Sequence, residues 1–393
     1  MVRSMKFATA IPHFSESRGG AERYLVGLCR RMAEEGSEVH VYAESWEPKH
    51  PKIHFHRVRT VPFPKSLRLL SFAITASRDM EKGRYDVTLG VGNTLRADVL
   101  QPHGGVHWAW FWRSLMAYDH PILWVLKWLG RVFSPKQWVA GYIEDAPYRA
   151  RKLSKIIAIS DMVRRDILRW YEVPENQVHV IYNGVDTKRF HPRNRQYRDD
   201  LRRKHHIGEE KVILFVSNNF RMKGLSYLMK ALSHLKTKGV SPFKLLILGR
   251  DRQGPYLRLA TRLRIAGDVI FAGSSDEPEK YYGAADLLVH PTFYDACSLT
   301  VLEALASGLP VITTASNGAS GVIRREEEGQ VIDDPRNLNQ LGTAIEQCLD
   351  RKGDSVASQE TPIRVQDLSE ERNYDGMVRV FSEARQFAEV RRG

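Results

Sequence analysis

Short, almost wholly apolar segments rich in Val, Ile and Leu alternate with helical patterns along this chain, and that alternation constrains its fold more than any other feature. The segments are residues 6–11, 38–43, 87–91, 156–159, 178–182, 212–216, 244–248, 269–272, 287–290 and 311–314. A strand apolar on both faces must be covered on both faces, and intervening helices supply the cover, so parallel sheets of the α/β class are expected. The opening is a βαβ unit: a strand over 6–11, a loop over 15–20, a helix over 21–35 stopped by Gly36, and a strand over 38–43. The series restarts near residue 211, after the charged stretch 193–206, and 393 residues exceed what one core usually organises. Two Rossmann-like domains are expected, over 1–172 and 173–367, with the boundary at the Val173-Pro174 turn. Residues 353–366 read as a polar loop, and 368–390 as a helix whose apolar face is Tyr374, Met377, Val378, Val380 and Phe381.

Three cysteines (Cys29, Cys297, Cys348) with no CxxC pair give no sign of zinc or redox work and fit a reducing cytoplasm. Residues 1–11 lack the apolar core of a signal peptide, and no run of ~18 apolar residues could span a bilayer, so any membrane association is expected to be peripheral. The net charge of +13 is uneven. Residues 1–190 hold 29 Lys+Arg against 19 Asp+Glu (+10), and 191–393 hold 30 against 27 (+3). Such a field suits nucleic acid, an acidic membrane or a phosphorylated substrate.

The segment 295–310 carries the sharpest chemistry. It follows the 287–290 strand, with Ser298 as a helix N-cap, helix formers over 299–307, and Gly308 and Pro310 as the stop. A loop therefore feeds a helix N-terminus at the C-terminal edge of a parallel sheet, where open α/β sheets bind ligands and free N–H groups attract phosphate. Cys297, Ser298, Leu299 and Thr300 form that entry. Asp295 and Glu303 bracket it with seven residues between them. Glu303 can accept two hydrogen bonds from a ribose diol and Asp295 can face sugar hydroxyls, although a loop acid and a solvated helix acid look the same in isolation.

This arrangement resembles the acid-x7-Glu motif of the family 4 retaining glycosyltransferases. The likeness extends through Ile157 to Ser160, Val180 to Asp186 (VIYNGVD), Arg189 to Pro192 (RFHP), Gly19 to Glu22 (GGAE) and Ala284 to Pro291 (AADLLVHP), and so covers most of the chain. Within the family, the Gly19-Gly20 loop, Val41 to Glu47 and Leu288 to Pro291 are most similar to lipopolysaccharide core glucosyltransferases. The resemblance implies a GT-B fold, two facing Rossmann-like domains with the donor in an interdomain cleft, the 368–390 helix joining the N-terminal one. It also implies a UDP-sugar donor and a glycolipid or lipopolysaccharide-core acceptor at the cytoplasmic membrane face, the anomeric configuration being retained. Asp295 would contact the donor sugar, where the family usually has Glu, and Glu303 would hold the ribose. Base recognition is expected around residues 269–273, at Phe271.

Arg221 and Lys223 follow the 212–216 strand. A departing nucleoside diphosphate gains negative charge, so cations aimed at it stabilise the transition state more than the ground state; two solvated loop cations are the alternative. Gly19 and Gly20 make no GxGxxG fingerprint, and their Cβ-free loop either admits the donor's phosphate or is a tight turn. The resemblance places His103 near the donor sugar, with His107 a second polar contact or a buried ring. The pairs His54/His56 and His205/His206 lack acidic or cysteine companions at ligand spacing and read as structural. No Asp-x-Asp motif occurs, so no metal and no cofactor beyond the donor are expected.

Residues 108–138 hold six of the eight tryptophans, interleaved with Arg113, Lys127, Arg131 and Lys136. Tryptophan with cations suits an anionic membrane surface, and a helix packed on the N-terminal core is the alternative. Two other classes fit parts of the sequence. A basic nucleic-acid-binding protein fits the charge but shows no RRM, KH or zinc-finger signature. A nicotinamide oxidoreductase fits the fold and Glu44 but lacks the glycine fingerprint.

Overall fold

The computed structural model describes residues 4–16, 19–47, 49–150, 153–350 and 363–392. The chain divides into two compact units, one of Met1–Tyr182 with Asn373–Gly393 and the other of Asn183–Arg372. The first division thus falls ten residues beyond residue 172, the expected end of the first domain. The reason is pairing: Val178–Val180 adds to Lys155–Ala158 in parallel, which keeps the chain in the first sheet past the turn. Most of the expected 353–366 loop lies outside the described residues, and Ile363–Gln366 is one helical turn.

The N-terminal unit holds a seven-stranded parallel sheet in the order Ile53–Arg57, Glu38–Ala43, Lys6–Ala10, Val87–Gly90, Val99–Leu100, Lys155–Ala158, Val178–Val180. One face is covered by the Gly20–Glu34 helix and the C-terminal Glu370–Arg392 helix. Phe381 lies fully buried with its ring 5.2 Å from that of Phe7, and Tyr374, Met377 and Val380 join the same core, as the apolar spacing of that helix requires. The other face packs Phe72, Ala76 and Met80 of the Lys65–Lys82 helix on Ala8, Ala10 and Tyr42.

The C-terminal unit is a six-stranded parallel sheet in the order Val269–Gly273, Phe243–Leu248, Lys211–Val216, Leu287–His290, Val311–Thr314, Gly329–Ile332. The two units share a device at matching places. The carboxylate of Asp86, just before one strand, accepts from the Lys6 amide of its neighbour at 2.8 Å, and Asp286 does the same for Val212 at 2.8 Å. Both are two-faced α/β sheets, as the apolar strands demand.

Residues 107–149 form three helices, His107–Leu115, Pro121–Val132 and Pro135–Arg149. The middle one buries none of its residues fully. Ile122, Leu123, Val125, Leu126 and Phe133 are exposed, Phe133 by 77%, while Trp124 and Trp128 stack on each other with half-buried rings. Two of the four cations singled out here are engaged in the fold. Arg113 makes a two-pronged pair with the buried Asp166 carboxylate (2.7 and 2.9 Å), and Arg131 donates to the Phe111 carbonyl and the Ser114 hydroxyl. Lys127 and Lys136 are exposed. Among the described residues no helix is long and apolar enough to cross a membrane.

Candidate active site

In the C-terminal unit the strand order reverses between Lys211–Val216 and Leu287–His290, because the chain winds outward on one side first and then on the other. Loops leaving the C-terminal ends of two such strands diverge around a crevice, the usual ligand site of an open α/β sheet. Here the loops are residues 217–224, leading to the Leu225–Thr237 helix, and 291–298, leading to the Leu299–Ala306 helix. They touch at Gly224, whose φ is +76° and where a Cβ would stand 2.1 Å from the Pro291 carbonyl oxygen. Only glycine fits there.

That approach carries Lys223 across to the second loop. Its ammonium donates to Asp295 Oδ2 at 2.5 Å and to the Tyr294 carbonyl at 3.1 Å. Burial pushes the Asp295 carboxyl up, but the Lys223 charge outweighs it and holds the group well below the usual carboxylate range. Asp295 is therefore an ionised acceptor. His290 lies beneath, with Nε2 3.7 Å from Asp295 Oδ2 and neither ring nitrogen in a hydrogen bond. Its burial lowers the imidazole pKa more than the carboxylate raises it, so the ring is neutral at physiological pH.

The 291–298 loop is anchored through its backbone. Asp295 N–H donates to the Ser316 carbonyl, Gly318 N–H to the Asp295 carbonyl, and the Asn183 amide to the Cys297 carbonyl at 3.1 Å. Ser298 holds the N-cap position, but its hydroxyl makes no capping bond; its N–H instead donates to Asn317 Oδ1 at 3.3 Å. Leu299 and Thr300 are half-buried at the helix start. Burial pushes the Cys297 thiol up to about 12, which leaves it inert. Glu303 projects from the helix, where the buried Tyr282 hydroxyl donates to its Oε2 at 2.7 Å. Burial and the Glu303 charge raise that phenol far above its usual value, so it remains a donor. Arg221 is exposed in the Lys223 loop. Phe271 is half-buried on the edge strand, its ring 6.2 Å from that of Phe220.

The N-terminal unit has its own reversal, between Lys6–Ala10 and Val87–Gly90. Ile11, Pro12, Ala21, Glu22, Asn93 and His103 line a cavity there of about 190 Å³. Gly19 is the N-cap of the following helix with an extended φ of −168°, which any residue adopts; a Cβ there would meet only the flexible end of Glu22, and Gly20 begins the helix. Those two positions therefore carry no conformational demand for glycine. His103 leans on the Tyr24 ring (centroids 4.8 Å apart), and its buried Nδ1 has no hydrogen-bond partner. Burial lowers its pKa to about 4. A larger cavity, about 370 Å³, continues past His103 to His107, Trp110 and Glu144.

Glu144 was not singled out from the sequence. Burial pushes its carboxyl up to about 7, against the hydrogen bonds it accepts from the Tyr171 hydroxyl (2.6 Å) and the His107 amide (2.7 Å). A carboxyl whose folded value is raised contributes stability below its unfolded value, about 4.3, that is lost as pH rises through 7. Glu144→Gln keeps both accepted bonds and removes that loss. The melting temperature of the variant should therefore gain on the parent as pH rises from 4.5 to 7.5, and a constant difference across that range contradicts the assignment.

The reading of His54 and His56 as lacking acidic companions is corrected. Parallel pairing of Ile53–Arg57 with Glu38–Ala43 sets His54 opposite His40 and brings Glu38 beside both. Those companions stand on another strand, where spacing along the sequence does not show them.

Two family models match the two halves of the chain. Residues 197–385 match the one described as glycosyl transferases group 1, and residues 18–189 the one described as Glycosyltransferase Family 4. The lipopolysaccharide glucosyltransferase WaaG of Escherichia coli (strain K12) is 24% identical over 334 residues, covering 84% of this chain and 86% of that protein. Among solved structures, WaaG is similar in fold with a TM-score of 0.69 at 22% identity, over 98% of this chain and 99% of that one. HepE of Anabaena in complex with UDP and glucose gives 0.68 at 18% identity, over 96% and 99%. With both sheets of the expected kind and each half matched by a glycosyltransferase model, the chain is a GT-B glycosyltransferase of the family 4 type.

Proposed function

We propose that this glycosyltransferase moves a hexose, glucose or a close relative of it, from a UDP-sugar to a glycolipid or lipopolysaccharide-core acceptor. Transfer retains the anomeric configuration and takes place at the cytoplasmic face of the membrane, with no metal ion on the diphosphate and no further cofactor. The observation that carries the reading is the meeting of Lys223, Asp295 and the Glu303 helix at one sheet reversal. Glu303, aimed by Tyr282, accepts from the ribose diol. Asp295 accepts from hydroxyls of the donor sugar, and Lys223, Arg221 and the helix entry at Cys297 to Thr300 meet the diphosphate. Phe271 borders the base. His103, neutral, donates to the donor sugar, and Gly19 and Gly20 leave room for its phosphate. The name of WaaG and the UDP and glucose bound to HepE support this donor.

A thermal-shift screen of UDP, GDP, NAD and an oligonucleotide tests the donor class. UDP should raise the melting temperature, by an amount equivalent to about 2.7 kcal/mol at a hundred times its Kd, and NAD and the oligonucleotide should not. A shift with GDP alone would move the donor to a GDP-sugar, and one with NAD or the oligonucleotide alone would overturn the UDP reading. Turnover should survive EDTA; loss that Mg²⁺ restores would put a metal on the diphosphate.

The exposed apolar side of the Pro121–Val132 helix, together with Lys127 and Lys136, supports docking on anionic lipid. Each lysine near such a surface contributes on the order of 1 kcal/mol. Vesicle binding should then need anionic lipid and fall with salt, since the Debye length is about 8 Å at physiological strength. Changing Lys127 and Lys136 to Gln should release the protein from vesicles at an unchanged melting temperature. Arg113 and Arg131 are poor probes, because their bonds hold the fold. Vesicle binding indifferent to salt and to both lysines would remove the electrostatic part of the account.

A further inference from the structure

At one edge of the N-terminal sheet, the parallel register sets His40 opposite His54 and Tyr42 opposite His56. Side chains alternate along a strand, so Glu38, His40, His54 and His56 stand on the same face. The ring of His40 is 4.8 Å from that of His54 and 5.1 Å from that of His56. Its Nε2 lies 2.8 Å from Glu38 Oε1, and its Nδ1 lies 2.8 Å from His56 Nε2. One ligand atom from each of Glu38, His40 and His54 falls within 4.8 Å of the others. His40 is buried and packed on the Tyr85 ring, whereas Glu38 and His54 are exposed and free to adjust.

We propose that Glu38, His40 and His54 form a binding site for a late first-row divalent metal ion such as Zn²⁺, which ties the outermost strand of the sheet to its neighbour. Two imidazoles and a carboxylate are the donor set such ions take, whereas Mg²⁺ and Ca²⁺ take oxygen ligands throughout. Tetrahedral Zn²⁺ with bonds of about 2.1 Å separates its donors by about 3.4 Å, so on a fixed His40 the Glu38 carboxylate, now 2.8 Å from His40 Nε2, opens by roughly half an ångström and the exposed His54 ring closes by about an ångström. His56, on the other nitrogen of His40, is a positioning residue that sets which nitrogen faces the ion. Lys6, 3.3 Å from Glu38 and partly exposed, is the cation the metal displaces from that carboxylate. Exposed pairs of this kind hold weakly. The site belongs to the N-terminal unit and shares no residue with the Lys223 and Asp295 chemistry, so its ion is not the one that turnover would need.

The test uses the full-length chain without a purification tag, stripped with EDTA, desalted and titrated with ZnCl₂ by calorimetry. One Zn²⁺ per chain should bind, and the melting temperature should rise with it. His54→Ala and Glu38→Gln should each weaken binding at least tenfold and abolish the rise, while the apo proteins melt where the parent does. Changing His205 and His206 to Gln should leave binding intact. Absence of stoichiometric binding, or binding that survives both His54→Ala and Glu38→Gln, overturns the site. UDP affinity should be the same with and without Zn²⁺, which keeps this outcome separate from that of the donor site.

Discussion

Lys223→Ala should lower kcat by about 10²–10³, the cost of removing one group aimed at charge that develops in the transition state. Donor affinity should fall much less, because the diphosphate gains its extra charge only as it leaves. The ground state is not untouched, since the ammonium sits on Asp295 and its loss leaves that carboxylate without a counter-ion. The Asp295 carboxyl should then titrate higher, so the acid limb of the kcat/KM profile should move to higher pH in the variant. Single-turnover kinetics beside UDP calorimetry separates the two effects. Equal losses in binding and turnover would make Lys223 a ground-state anchor.

Glu303→Ala should weaken UDP binding by about 1.5–3 kcal/mol, the range for a hydrogen bond to a charged acceptor. Tyr282→Phe removes the hydroxyl that aims Glu303 while leaving the carboxylate, so its loss should go in the same direction and be smaller. A double-mutant cycle should show the two changes coupled, as expected for groups in one hydrogen bond. Unchanged UDP affinity in folded Glu303→Ala would remove Glu303 from the site.

How much of this was legible in the sequence depends on where each signal is stored. The buried strands announce themselves by composition, because a parallel strand covered on both faces has no polar side to interrupt it. The edge strand Ile53–Arg57 does not, because His54 and His56 break the apolar run, and Val99–Leu100 is too short to register. The division after Tyr182 was hidden because it depends on Val178–Val180 finding Lys155–Ala158, a matter of pairing and not of local turn chemistry. At the site, Asp295 and Glu303 were legible because one helix entry holds both. Lys223 was legible as a cation but not as the partner of Asp295, since their contact rests on Gly224 reaching Pro291. Tyr282 and His290 act from beneath, and a buried polar ring looks like core until its neighbours are known. Arg113 and Arg131 resembled membrane-facing cations among tryptophans, and the partner that engages Arg113, Asp166, lies 53 residues along the chain.

The most direct test of the central claim is product analysis. The purified enzyme, treated with EDTA, is given a panel of UDP- and GDP-sugars with membrane glycolipid acceptors, and the anomeric configuration of the transferred sugar is read by NMR. Transfer from a UDP-hexose, UDP-glucose foremost, is expected, giving the α-linked product that retention from an α-linked donor requires. A β-linked product, or transfer from GDP-sugars alone, would contradict it.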